Sequence, residues 1–244
     1  MNNLHIIIQA RITSSRFPNK ILKKIKNKTI VEIMMLRLKK FKYYKNIIIA
    51  IPNTKKNNKL NIFLKKKGFK VERGSEKNVL MRFYNIAKKY KIKNIMRLTS
   101  DCPLIDYKIC NNLINTFFSK NLDYIATGKK FANGLDCEIF NFKSLELSFK
   151  KSKSNNDKEH VTTYIKRNKT KFKFKTYENN KDDSKIRLTI DRAEDLKFLE
   201  KIISRFKKIL NGRYISSKHI IDFINKNKNI YKINSHIKRN KILG

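Results

Sequence analysis

An α/β fold, with a mostly parallel central sheet and helices on both faces, is what this sequence predicts, and three observations predict it. The chain opens on the stretch Leu4 to Leu22, which begins with the continuous run Ile6-Ile7-Ile8, β-branched and too short to cross a membrane. Such a run reads as a strand buried on both faces of a parallel sheet. Strand-like and helix-like segments then alternate, the pattern of right-handed crossover units. Apolar runs also stop abruptly on polar residues, and open α/β sheets bind ligands beyond the carboxyl ends of their strands.

The elements follow in order. Ile21 to Phe41 carries Ile30, Ile33, Met34 and Leu38 at helical spacing, an amphipathic helix crossing back over the sheet. Asn46 to Ile51, closed by Pro52-Asn53, is a second buried strand; Lys59 to Lys67 is a helix; Phe69 to Glu72 is a third strand, ending in Arg73-Gly74-Ser75. Val79 to Tyr90 is helical, and Asn94 to Leu98 is a strand stopped by Pro103. Asp106 caps the helix bearing Ile109, Leu113, Ile114 and Phe117. Leu122 to Ala126 is a strand, Asn133-Gly134 a turn, and Leu135 to Phe140 an alternating strand with Asp136 and Glu138 on one face. Lys150 to Lys158 reads as a mobile polar loop, Glu159 to Ile165 as the start of a helix, and Phe172 to Tyr177 as a strand. Ile186 to Ile190 is a further strand ending on Asp191, Glu194 to Ile209 a helix, and the tail from Ser216 another amphipathic helix.

The 244 residues suit a single domain spanning 1–244, since no clean linker or internal repeat interrupts them. A net charge of +40 raises a nucleic-acid or membrane partner first. The cations, however, are overwhelmingly lysine and spread among asparagines and isoleucines along the whole chain, which is how a composition bias fills solvated positions. No specific nucleic acid is expected, only weak, salt-sensitive polyanion binding. Cys102, Cys110 and Cys137 show neither paired nor metal-ligand spacing and read as small buried thiols of a reducing compartment. With no leader and no membrane-length apolar window, a cytoplasmic protein without membrane insertion is expected.

The chemistry concentrates at two places. Arg11, Ser14, Ser15, Arg16 and Lys20 crowd the loop after the first strand, and arginine is scarce enough here that two in one loop is informative. Three cations and two hydroxyls suit a polyphosphate. Asp101 and Asp191 each follow an apolar strand; a strand-terminal aspartate alone is often only a helix cap, but two of them facing a basic loop are what a magnesium-dependent nucleotide enzyme requires. Magnesium uses one or two carboxylates plus substrate phosphates and water.

These residues resemble a known family. Gln9-Ala10-Arg11-Ile12-Thr13-Ser14-Ser15-Arg16-Phe17-Pro18-Asn19-Lys20 is similar to the signature loop of the cytidylyltransferases that activate 3-deoxy-octulosonate and sialic-type sugar acids. Arg73-Gly74-Ser75, Val79 to Phe83, Arg97 to Asp106, Gly134 to Glu138, Glu159 to Thr162 and Thr189 to Leu196 resemble more closely the branch of the spore coat polysaccharide biosynthesis protein F. The resemblance implies a Rossmann-like nucleotide-diphospho-sugar transferase fold, CTP and a sugar acid as substrates, Mg2+ as cofactor and a homodimer. It places Ala10, Arg11, Ser14, Arg16, Lys20 and Thr99 on the nucleotide and its phosphates, with Arg73, Gly74 and Ser75 beside the base. It places Asp101 and Asp191 on magnesium, and Arg11, Arg16, Lys20 and Asp101 in the catalytic set. Asp136, Glu138, Glu159, His160 and Arg187 are the candidates for the sugar side. Asn19 stands where the family usually has glycine, and asparagine tolerates the left-handed turn needed there. Thr99-Ser100 replaces a Gln-Gly pair of the octulosonate enzymes. The expected reaction is attack on CTP with release of pyrophosphate for surface polysaccharide synthesis; a glycosyltransferase using a nucleotide sugar and a basic nucleic-acid-binding protein are the alternatives.

Overall fold

The computed structural model describes residues 3–239. Strand β1 (Leu4–Gln9) lies inside a seven-stranded sheet, hydrogen-bonded in parallel to β4 (Ile47–Pro52) on one side and to β6 (Asn94–Thr99) on the other. Beyond β4 lies β5 (Val71–Gly74); beyond β6 come β8 (Glu138–Asn141), β7 (Tyr124–Thr127) and β9 (Phe174–Tyr177), giving the order β5-β4-β1-β6-β8-β7-β9. Only β8 runs against the others. Between the first loop and α1 (Ile30–Leu38), a small hairpin pairs β2 (Lys24–Ile25) with β3 (Lys28–Thr29).

The alternation of β1 separates two layers of core. Ile6 and Ile8 face a layer built with Met34 and Leu38 of α1, Leu60 and Leu64 of α2 (Asn58–Lys66) and Leu113 and Phe117 of α4 (Tyr107–Ser119). Ile7 faces the opposite layer, with Phe83 of α3 (Val79–Lys89), Leu145 of α5 (Phe142–Lys151) and Val161 between α6 (Asn155–His160) and α7 (Thr163–Arg167). Each fully buried isoleucine contributes roughly 1.5–3 kcal/mol. A third cluster joins Leu188 and Ile190 to α8 (Ala193–Arg205) and α9 (Ser217–Lys226); α10 (Lys228–Tyr231) follows.

Several expectations are corrected. The helix predicted over Ile21 to Phe41 begins only at Ile30, where Thr29 and Glu32 form a reciprocal capping box, and the residues before it turn tightly and form the β2–β3 hairpin. It is buried on nearly every side rather than amphipathic, because it packs between the sheet and the α8–α9 layer. Lys150 to Lys158 is largely helical: α5 runs to Lys151, and Ser154 caps α6 by accepting from the Asp157 amide. Glu159 and His160 therefore end a helix instead of starting one, since Val161 at φ +57° breaks the chain before α7. Asp136 lies in a loop and accepts from the Gly134 amide, while the strand starts at Glu138.

Ile186 to Ile190 is extended and buried but joins no sheet ladder. Its partners are loops: the Asn133 amide donates to the Ile186 carbonyl, Leu188 donates to Asn133, and Ile190 donates to Asp101. Gly134, at φ +103°, makes that approach possible, since a Cβ there would lie 2.7 Å from the Leu188 carbonyl carbon.

Candidate functional site

The first loop leaves β1 and returns through Asn19, whose φ of 57° is the left-handed turn expected of it. The turn directs Lys20 inward, where its Nζ donates to Asp101 Oδ2 at 2.7 Å and Asp191 Oδ1 at 2.5 Å. Arg16 reaches Asp191 Oδ2 at 3.2 Å. Burial pulls the Lys20 pKa down, but the charges of Asp101 and Asp191 outweigh it, so the ammonium is held above the ordinary lysine value. Burial conversely raises the Asp191 pKa, and Lys20 and Arg16 outweigh it, so its carboxyl titrates below its ordinary range.

A second tier fixes Asp191. The Arg187 guanidinium donates twice to the fully buried Asp195, at 2.8 and 3.0 Å, and once to Asp191 at 3.4 Å. Asp195 also accepts from the Asp191 and Arg192 amides and from Asn234. The first turn of α8 thus locks the backbone from which Asp191 projects.

This floor opens into a cleft of about 580 Å³ at the carboxyl edge of the sheet. On the opposite wall Glu138 accepts from Arg97 Nη1 at 2.5 Å, the Tyr124 hydroxyl at 2.6 Å and Thr162 at 2.9 Å, with Lys166 at 3.2 Å. Burial would raise the Glu138 pKa, yet Lys166, Arg97 and these hydrogen bonds hold it down at about 2. Glu138 is a fixed anion that holds two cations on the wall. At the rim the half-exposed Arg11 faces Glu159 at 3.7 Å, and burial lowers the His160 pKa. Asp136 pairs with Arg239.

Arg11, Arg16, Thr99, Asp101, Asp136, Glu138, Glu159, His160, Arg187 and Asp191 therefore meet in one cleft, with Lys20 in its floor. The remaining candidates lie outside its lining. Ala10 is buried and donates its amide to Ala50; the Ser14 hydroxyl accepts from the Phe17 amide. Arg73 donates to the Thr54 carbonyl and Asn58, and Ser75 accepts from the Asn78 amide. Gly74 packs against the stem of Arg82. Sequence reasoning missed Gln9, Arg97 and Lys166 as wall residues. Arg97 left a signal, a lone charge inside an apolar strand; Lys166 left none among so many lysines. Burial, with Asp101 and Asp136 nearby, raises the Cys102 pKa, which disfavours its thiolate.

Among the described residues no cluster of three or more His, Cys, Asp or Glu side chains forms a metal cage. The Lys20 ammonium fills the space between the Asp101 and Asp191 oxygens, and the chemistry of two neighbouring carboxylates is what magnesium asks of a protein beside substrate phosphates. The donor set fits.

Comparison with known proteins agrees with this architecture. The spore coat polysaccharide biosynthesis protein SpsF of Bacillus subtilis is 30% identical over 234 residues, covering 93% of this chain and 96% of that protein. A solved cytidylyltransferase from Leptospira borgpetersenii superposes with a TM-score of 0.90 at 34% identity, over 98% of this chain and 100% of the other. The CMP:2-keto-3-deoxy-manno-octonic acid synthetase solved with CTP shares the fold, with a TM-score of 0.66 at 13% identity over 83% of this chain and 99% of the other. The cytidylyltransferase family profile matches residues 5–237, and with its mostly parallel, Rossmann-like sheet this chain belongs to the cytidylyltransferase family of nucleotidyltransferases.

Proposed function

We propose that this protein is a magnesium-dependent cytidylyltransferase that couples CTP to an acidic sugar for surface polysaccharide synthesis. The observation that carries it is the cleft floor, where Lys20 joins Asp101 and Asp191 within reach of Arg16. Cations for a triphosphate and paired carboxylates for a metal occupy one place at the sheet's carboxyl edge. The names of two similar proteins, a polysaccharide biosynthesis protein and a synthetase for an acidic sugar nucleotide, support the substrate class.

In this reading a sugar hydroxyl, its proton passing to solvent, attacks the α-phosphorus of CTP in line, the bond to the bridging oxygen breaks, and pyrophosphate leaves. Arg11, Arg16 and Lys20 stabilise the departing charge by preorganised electrostatics. Magnesium, held by Asp101 and Asp191, would neutralise phosphate charge when bound. Arg97 and Lys166, fixed by Glu138, give the opposite wall a positive face suited to a sugar carboxylate. Among the described residues no helix is long and apolar enough to cross a membrane; a cytoplasmic homodimer belongs to the same proposal.

The test is pyrophosphate release from each of the four nucleoside triphosphates with magnesium, across a panel of sugar acids and neutral sugar phosphates. Release with CTP and a sugar acid is the expected result. Release only with neutral sugar phosphates refutes the substrate class, and absence of release with all partners, alongside nucleoside phosphate release from a nucleotide sugar, replaces the reaction with glycosyl transfer.

A further inference from the structure

On the face of the sheet that carries Ile7, a polar row crosses three adjacent strands at the cleft: Gln9 ends β1, Arg97 lies on β6 and Glu138 opens β8. The register sets Arg97 beside both Ile7 and Glu138, and Gln9, two residues after Ile7, returns to the same face. All three line the cleft. The Arg97 fork ties them together, Nη1 donating to Glu138 and Nη2 donating to Gln9 Oε1 at 3.1 Å. A guanidinium offers donors only, so this contact fixes the Gln9 amide: its oxygen turns to Arg97 and its nitrogen turns away. Gln9 is partly exposed in the lining, and among the described residues its Nε2 has no hydrogen-bond partner. The same wall holds two cations, Arg97 and Lys166, against the single carboxylate of Glu138, and is therefore one positive charge in excess.

We propose that Gln9 is a specificity-determining residue for the sugar: held by Arg97, its side-chain amide donates to the carboxylate of the acidic sugar, whose charge balances the excess cation of this wall. The inference rests on the acidic-sugar reading above. The residue type carries the argument. A glutamate at this position would accept from Arg97 more strongly, as an ionised acceptor does, but it would cancel the excess charge and present no donor. Glutamine keeps the tie to Arg97 and leaves two N–H groups for what enters the cleft. A neutral hydroxyl or an ester accepts a hydrogen bond there but leaves the cation unbalanced. The mounting is rigid, because β1 is laddered to a strand on each side and Gln9 is in register with Ala50 and Thr99. The phosphates are served elsewhere, by Lys20 and Arg16 at the cleft floor.

The test takes the sugar acid of the panel that gives the fastest pyrophosphate release, together with its methyl ester. It measures KM for each and for CTP in wild type, Gln9→Glu and Gln9→Met, with thermal melts reporting the fold. Q9E keeps an acceptor for Arg97 and removes the donor; Q9M removes both and adds no charge. Both are expected to raise the KM for the acid by about tenfold or more, Q9E the more strongly, while the KM for CTP stays within about twofold and the preference for acid over ester shrinks. Q9E with an unchanged KM for the acid overturns the proposal, since only the tie to Arg97 would then matter. Q9M matching wild type while Q9E is impaired also overturns it, since the added charge alone would explain the loss. In both cases CTP- and acid-dependent turnover by the wild type leaves the functional reading standing; a wild type that turns over no sugar acid overturns both. Should neither variant fold, 15N-labelled wild type decides by NMR: the acid is expected to shift the Gln9 side-chain amide resonances more than the ester does, and unmoved resonances overturn the proposal.

Discussion

Lys20 Nζ and Asp191 Oδ1 meet at 2.5 Å in the cleft floor, although 171 positions separate them in the chain. The pair joins the first loop of the sheet to the segment entering α8, and Asp101 completes the bridge from the end of β6.

Replacing Asp191 with Asn removes one of the two anions that balance Lys20 and the only carboxylate that Arg16 contacts among the described residues. The expected loss is about 2–3 kcal/mol of stability at pH 7, with turnover down by about a hundredfold or more. Urea unfolding and pyrophosphate release measure the two. A variant with wild-type turnover would remove Asp191 from the site.

Lys20→Met tests the convergence of the carboxylates from the other side. Asp101 and Asp191 then face each other without their shared ammonium, so divalent cation affinity is expected to rise by about tenfold while turnover is lost. Titration of Mn2+ by electron paramagnetic resonance reads the affinity without turnover. Unchanged or weaker binding would show that the two carboxylates do not form the cation site.

Glu138 contributes to acid stability. Its folded pKa of about 2 lies below the ordinary 4.5, so the ionised side chain adds stability that is complete above 4.5 and is lost as pH falls toward 2. The difference corresponds to about 3 kcal/mol at neutral pH. Glu138→Gln should be less stable by that order at pH 7 and converge on wild type near pH 2. Parallel pH-stability curves for the two proteins would refute this.

Gly134→Ala should destabilise by about 3 kcal/mol or more, since φ is +103° and the new Cβ would press on the Leu188 and Thr189 backbone at 2.7 Å. Because the same crossing precedes Asp191, turnover is expected to fall with stability. Denaturant melts and pyrophosphate release check both, and a neutral substitution would show that the crossing adapts.

Local physical chemistry was enough to read the parallel half of the sheet. A β-branched run such as Ile6-Ile7-Ile8 can be satisfied only by burial on both faces, and the Asp106 cap announces α4 by the bond it makes. The basic loop and the two aspartates were legible too, because arginine is scarce and acidic residues after apolar runs stand out in this composition. Ile186 to Ile190 was misread because a buried extended segment has the same pattern whether its partners are strands or the Asn133 and Asp101 loops. The ends of α1, α5 and α6 depended on caps competing within polar or apolar runs, which periodicity does not register. That Lys20 sits between Asp101 and Asp191 and that Glu138 holds Arg97 and Lys166 on the facing wall were decided by tertiary structure alone. Pairing of charges across such sequence distances follows from which backbones the core brings together, and no local property of a lysine or arginine encodes its partner.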